Sequence, residues 1–278
     1  MDCRIWYTSA LIAAILAALL VPSAVAQIAV SANDGKAVLI DGVNKIPPNP
    51  MPDTVTIIDL GASPPKVLAE LRAPSSVVGP PQNVAITPDE AIALVSANMK
   101  FDPADSQKLV PDNRVSVIDL KANPPAVIAT VEAGTSPAGI SINRTGTMAL
   151  IANRGDGTVS IFAITGKTLT PAGKIDFGNP KAGPSSVAFS LDGKMALVTR
   201  DGDHKISILS IDGPKVEDTK LMLTGGIRPY PVQVSPKGDI AVVGNQGGGA
   251  GDIDTINIVS LAGKRRRVSS TRSTLVRS

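Results

Sequence analysis

Pro137-Ala-Gly-Ile-Ser-Ile142, Asn143-Arg-Thr-Gly146, Ala149-Leu-Ile-Ala-Asn153 and Thr158-Val-Ser-Ile-Phe-Ala-Ile164 follow one another along a single stretch of chain. Small or polar residues alternate with Ile, Val and Leu in the outer segments, and a Gly-containing turn sequence separates the first from the second. A period of two over six to eight residues is the mark of a half-buried strand, and the turn residues place successive strands antiparallel. Working outward, the same order recurs. Pro81-Gln-Asn-Val-Ala-Ile86, Pro184-Ser-Ser-Val-Ala-Phe189 and Pro229-Tyr-Pro-Val-Gln-Val234 open three further units, so that the four begin 45 to 56 residues apart. The turns that follow are Thr87-Pro-Asp-Glu90, Ser190-Leu-Asp-Gly193 and Ser235-Pro-Lys-Gly238, and the second runs end at Asn98, Arg200 and Asn245.

The third run is present five times, as Thr54-Val-Thr-Ile-Ile-Asp-Leu60, Arg114-Val-Ser-Val-Ile-Asp-Leu120, Thr158 to Ile164, Lys205-Ile-Ser-Ile-Leu-Ser-Ile211 and Thr255-Ile-Asn-Ile-Val-Ser-Leu261. A looser fourth follows, as in Ala126-Val-Ile-Ala-Thr-Val131. Four short strands per unit at this period predict an all-β protein, a β-propeller of four-stranded antiparallel blades with about five blades present. Helical solenoids would repeat apolar residues every 3.6 positions, which this chain does not do.

The combination of Pro-x-x-Val, a Ser-Pro/Leu-Asp/Lys-Gly turn, an Ala-Leu/Val-Ile/Val run and Val-Ser-Val-Ile-Asp-Leu120 resembles the YVTN β-propeller repeat family. The likeness spans about residues 28–263, with Ala149, Ala196 and Ala241 where that family's signature begins with Tyr. It implies a lactonase-like or surface-layer-like propeller of seven blades, and so an incomplete ring here. The first unit is expected to lack its innermost strand and the last its outermost. Residues 27–263 read as the propeller. Residues 264–278, which hold Lys264, Arg265, Arg266, Arg267, Arg272 and Arg277 and no acid, read as a basic, disordered tail, either the product of a truncation or frame change or a genuine tail that touches an anionic surface.

At the other end, Ala10 to Val21 form an apolar run followed by Pro22, Ser23 and Ala24-Val25-Ala26. This is the order of a secretory signal peptide over residues 1–26, with cleavage between Ala26 and Gln27 and a periplasmic or secreted product. The run is shorter than the roughly 20 residues of a spanning helix, so no stable membrane span is expected after cleavage. Overall the chain holds 27 basic and 24 acidic residues, but the tail supplies the excess: residues 27–263 carry 20 basic against 23 acidic. A basic nucleic-acid face is not expected, and only Phe101, Phe162, Phe177, Phe189 and Tyr230 remain as aromatics in that body, with Phe162 and Phe189 at core positions. One His and one Cys in the whole chain exclude a zinc site of His and Cys ligands, a Cys–His nucleophile and a disulfide framework.

Chemistry is then left to the loops between second and third strands, Asp41–Asp53, Met99–Asn113, Arg154–Gly157, Asp201–His204 and Gln246–Asp254, which a propeller gathers on one face. Catalysis, if present, would fall to His204, Asp201, Arg200 and Arg154, converging at the channel mouth. Asn98, Asn153 and Asn245 are the ligand-binding candidates, against the plainer reading that Asn and Asp serve turns. No cofactor is predicted; a hard cation such as calcium is the one metal class the residues admit, with Asp201 and Asp203 as its carboxylates. Gln246-Gly-Gly-Gly-Ala-Gly-Asp252 lacks the Lys-Ser/Thr and helix of a phosphate loop and reads as a hairpin loop. The functional expectation is a binding or scaffold protein that uses its variable loop face for an unknown protein or small-molecule ligand. The alternative is a lactone hydrolase similar to 6-phosphogluconolactonase. Self-association through the open edges of an incomplete ring is expected beside either.

Overall fold

The computed structural model describes residues 27–41, 43–76, 82–248, 255–261 and 268–272, and every regular element among them is a β-strand. Strand β1 (Ile28–Asn33) leads through a small hairpin of β2 (Val38–Ile40) and β3 (Val43–Lys45) to β4 (Thr54–Asp59) and β5 (Lys66–Arg72). Together β1, β4 and β5 make a three-stranded first sheet. The second comprises β6 (Val84–Ile86), β7 (Ile92–Ser96), β10 (Arg114–Asp119) and β11 (Ala126–Glu132), with β8 (Met99–Asp102) and β9 (Asp105–Pro111) as a hairpin of their own between β7 and β10. In the third, β12 (Pro137–Ile142), β13 (Met148–Asn153), β14 (Thr158–Thr165) and β15 (Thr168–Asp176) pair in chain order. The fourth repeats this with β16 (Pro184–Phe189), β17 (Met195–Arg200), β18 (Lys205–Asp212) and β19 (Lys215–Leu223). The fifth holds β20 (Pro229–Val234), β21 (Ile240–Asn245), β22 (Thr255–Ser260) and β23 (Val268–Arg272). All neighbours are antiparallel, and the molecule is a β-propeller of such sheets.

Sequence dictates the hairpins directly. The N–H groups of Glu90, Gly146, Gly193 and Gly238 donate to the carbonyls of Thr87, Asn143, Ser190 and Ser235 at 2.8–3.0 Å, closing one turn type four times. The fourth residue of each has positive φ, 53°, 70°, 68° and 73°, which is why Gly fills it in three of four cases. Alternation then gives each sheet two apolar faces, and consecutive sheets pack face to face. Val55 and Ile57 of the first sheet meet Ala93, Val95 and Ile118 of the second. Leu94 and Val117 meet Ala149 and Phe162, Leu150 and Ile161 meet Ala196 and Leu209, and Leu197 and Ile208 meet Ala241 and Val259. Phe162 and Phe189 lie in this core as expected, 1% and 8% exposed. Each side chain of this size contributes about 1.5–3 kcal/mol through burial. Lys167 adds a polar tie, donating to Asp119 Oδ2 at 2.6 Å from the third sheet to the second. That bond, against a smaller opposing effect of burial, holds the Asp119 carboxyl below the usual carboxylate range.

Strands also lie within two of the loops: β3 in Asp41–Asp53, and β8 paired with β9 in Met99–Asn113. Two expectations change at the far end of the propeller. Sheet five extends past residue 263, because Val268–Arg272 pairs antiparallel with β22 from Val259↔Val268 to Thr255↔Arg272. An edge strand needs only extended backbone opposite a free ladder, and β-branched Val268 and Thr271 favour that geometry without two-sided alternation. The fifth unit therefore has its outermost strand, while the first has three strands as expected. Pro81, Asp252 and residues 1–26 lie outside the described residues.

Candidate functional site

One register at the end of the second-strand ladder holds Asn98, Arg154, Asp201 and Gln246 in sheets two to five, with Asp34 after Asn33 in the first; in sheet two Ala97 extends the ladder by donating to the Arg114 carbonyl. Arg154, Asp201 and Gln246 donate their N–H groups to the carbonyls of Ser136, Gly183 and Arg228 at 2.9–3.1 Å. The next residues, Gly155, Gly202 and Gly247, do the same to Thr135, Ala182 and Ile227. This double clamp ties each loop to the connection entering its own innermost strand. Sheet two varies the theme: the Asn98 side chain reaches across to the third sheet and donates to the Ser136 carbonyl at 2.9 Å.

Between these loops lies a pocket of about 380 Å³ lined by Asn98, Ser136, Arg154, Lys181, Gly183 and Asp201, among others. Its electrostatics centre on Asp201, whose side chain is only 2% exposed. Arg154 brings Nε to 3.3 Å from Oδ1 and pairs through Nη2 with Oδ2, while Ser185 donates to Oδ1 at 3.0 Å. Arg228 Nη2 stands 3.7 Å from Oδ2. Two guanidinium groups thus share one buried carboxylate. The Arg154 guanidinium also lies 5.4 Å from the centroid of the Tyr230 ring. Burial pushes the Tyr230 hydroxyl above its ordinary pKa, and the two arginines oppose part of that rise. Close backbone approach shapes the site: a Cβ on Gly183 would stand 2.5 Å from Asp201 Oδ1.

Of the four residues proposed to converge, the structure joins Arg154 and Asp201 and separates the other two. Arg200 turns to Asp203 with both oxygens engaged, donates to Ser207 Oγ at 3.0 Å, and lies 4.6 Å from the Phe177 centroid. It is a buried latch between the third and fourth sheets. His204 is exposed at φ 59°, and its Nδ1 accepts the Arg228 N–H at 3.1 Å, tying the fourth sheet's loop to the connection into the fifth. Asp201 and Asp203, the cation candidates, are ion-paired with different arginines, and among the described residues no cluster of three or more His, Cys, Asp or Glu is placed to hold a metal. Asn153 and Asn245 point elsewhere than into this pocket. Each donates into its own sheet, Asn153 to Thr158 and Ser160 Oγ at 2.9 Å, Asn245 to Thr255 Oγ1 at 3.0 Å and Asn257 Oδ1 at 2.6 Å. Of the asparagine candidates, Asn98 borders the pocket.

Sequence reasoning passed over Lys181, Arg228 and Tyr230, which sit on the connections into the fourth and fifth sheets, and the Lys36 cluster. Lys36 is 5% exposed and its ammonium meets both oxygens of Asp53 at 2.6 Å, Asp34 at 3.1 Å and the Ser75 carbonyl at 2.5 Å. The signal available was register, since Asp34 follows Asn33 as Arg154 follows Asn153. A second cavity of about 530 Å³ opens among the innermost strands, lined by Gln82, Val84, Ile140, Arg144, Phe189, Val232 and Gln233 among others. At its upper end Gln82 accepts from Ser186 Oγ, linking the second and fourth sheets.

No protein-family model matches the sequence, the YVTN repeat included, and no curated protein matches it either. Solved structures do match. A functionally unknown protein from Desulfotomaculum acetoxidans superposes with a TM-score of 0.62 at 17% identity, over 80% of this chain and 63% of that one. The Pseudomonas aeruginosa periplasmic gluconolactonase gives 0.61 at 17% identity, over 88% and 67%. A Bacteroides fragilis protein provisionally named a 6-phosphogluconolactonase gives 0.60 at 15%, over 90% and 81%. Two of these three carry gluconolactonase names, and at these identities the likeness establishes the fold. The chain spans less than two thirds of the Desulfotomaculum protein.

Proposed function

We propose that this chain is an exported binding propeller that takes a small anionic ligand at the mouth of its channel, on the loop face. The observation that carries the reading is the charge balance around Asp201: one buried carboxylate is shared by Arg154 and Arg228, and Lys181 borders the same pocket. The cluster keeps a positive excess in a concave, partly desolvated place, which draws anions. A guanidinium fork also suits a carboxylate or phosphate in two-point contact. Export rests on the apolar run and Ala24-Val25-Ala26, and the periplasmic neighbour is compatible with it. Among the described residues no helix is long and apolar enough to cross a membrane.

A second reading, sugar-lactone hydrolysis, is favoured by the names of two structural neighbours. Arg154 could support a developing oxyanion. The proton acceptor is the difficulty, because Asp201 lies between two cations and His204 already accepts a backbone N–H. Binding without turnover is therefore preferred. Calorimetry with gluconate should show binding that Lys181→Gln and Arg154→Gln each weaken about tenfold, the scale of one charge-assisted hydrogen bond. No heat with gluconate or 6-phosphogluconate overturns the binding reading. Turnover of glucono-δ-lactone that Arg154→Gln abolishes moves the assignment to the hydrolase.

A further inference from the structure

Every internal junction uses the same two faces. The forward face of a sheet carries the cross-strand pairs Val30↔Ile57 in the first, Leu94↔Val117 in the second, Leu150↔Ile161 in the third and Leu197↔Ile208 in the fourth. Of these, Ile57, Leu94, Val117, Leu150, Ile161, Leu197 and Ile208 are at most 5% exposed, because the next sheet covers them. In the fifth sheet the same register holds Val242↔Ile258, with Gly244↔Ile256 two residues along the same face. Yet Val242 and Ile256 are each 40% exposed, whereas Val55, Val115, Val159 and Ile206 at the place of Ile256 are at most 1% exposed. The backward face behaves in mirror fashion. Its pairs Ala93↔Ile118, Ala149↔Phe162, Ala196↔Leu209 and Ala241↔Val259 are no more than 1% exposed. The first sheet presents Ala29↔Ile58 there, both only half-buried.

Among the described residues both halves of the chain's own junction are thus uncovered, one on the fifth sheet and one on the first. We propose that a second copy of this chain docks its first sheet on the fifth sheet of its neighbour, repeating between molecules the contact made four times within one. Continuity of register selects this occupant over an unrelated protein, since each bare pair matches in chemistry the pairs that mate internally. The contact is head to tail, so it closes a ring if the rotation allows and extends as a filament otherwise. Ser31 stands where Val95, Ile151, Val198 and Val243 stand in the other sheets. A polar residue at that place weakens the joint and makes association dependent on concentration.

Sedimentation velocity on the chain and two variants tests this. Ile256→Asp spoils the fifth sheet's face and Ala29→Asp the first sheet's; Ile256 is exposed and Ala29 half-buried, so the fold should survive, which circular dichroism checks. The unmodified chain should rise in mass with concentration, and each variant alone should remain a monomer. An equimolar mixture of the two should double in mass and stop there, since each keeps the half that the other has lost. A monomer at every concentration overturns the proposal. So does association that Ile256→Asp abolishes and Ala29→Asp leaves intact, which would mean that fifth sheets pair with each other.

Discussion

Asn153 shows what the residue scale decides. It is fully buried, donates to two hydroxyls across the β13–β14 hairpin, and recurs as Asn33, which bonds Thr54 and Thr56, and as Asn245. An amide at the end of the second strand thus fastens the start of the third, because directly opposite residues share a face. Asn153→Ala removes both donors and leaves Ser160 and Thr158 short of a partner. The expected cost is about 1–3 kcal/mol in urea unfolding, with gluconate affinity unchanged once the fold is saturated. A loss of affinity at unchanged stability would return Asn153 to the ligand. The sequence made these asparagines conspicuous without showing their direction: turn chemistry and ligand chemistry use the same amide. The Arg154–Asp201 pair was legible as two polar loop residues, while their pairing across 47 positions needed the sheets to be stacked first.

At the scale of the element, the turn between first and second strands is the unit that repeats best. Gly193 has φ 68° with open space where a Cβ would go, so Gly193→Ala measures backbone strain alone and should cost about 1–2 kcal/mol. Gly146→Ala should cost more, because its Cβ would stand 3.3 Å from Pro88 Cδ. Thermal melts of the two variants check the order; equal losses would remove the packing argument. Glu90 tolerates the same conformation at φ 53°, and its carboxylate accepts the N–H groups of Gln27 and Ile28 at 2.8 and 3.2 Å. The strain is offset by fastening the first sheet to the second. These turns and the strands around them could be read from the sequence because Gly, Pro and β-branched residues carry local meaning. β23 could not, since an edge strand is defined by its neighbour's free ladder, and neither could β2 with β3, a short exposed pair inside a loop.

For the molecule as a whole, the five-fold recurrence of one strand pattern was sufficient to predict a propeller, because each sheet can bury its two apolar faces only against neighbours of its own kind. The same logic grades stability along the chain. The third sheet is covered on both sides, and Leu150, Ile151, Val159 and Phe162 are no more than 1% exposed. Among the described residues the fifth is covered by the fourth alone, with Val242 and Ile256 exposed, and the first by the second alone. In stacked repeats stability is close to a sum of unit and nearest-neighbour contributions, so units with one neighbour open before units with two. Hydrogen exchange at a concentration low enough to keep the chain monomeric should therefore protect β13 and β14 most, β17 and β18 nearly as well, and β1, β4, β21 and β22 least. Raising the concentration should slow exchange selectively in β4, β5, β21 and β22 as the bare faces meet. Uniform protection at low concentration would instead mean that the first and fifth sheets already cover one another within a single chain, and the gradient argued from their exposure would be wrong.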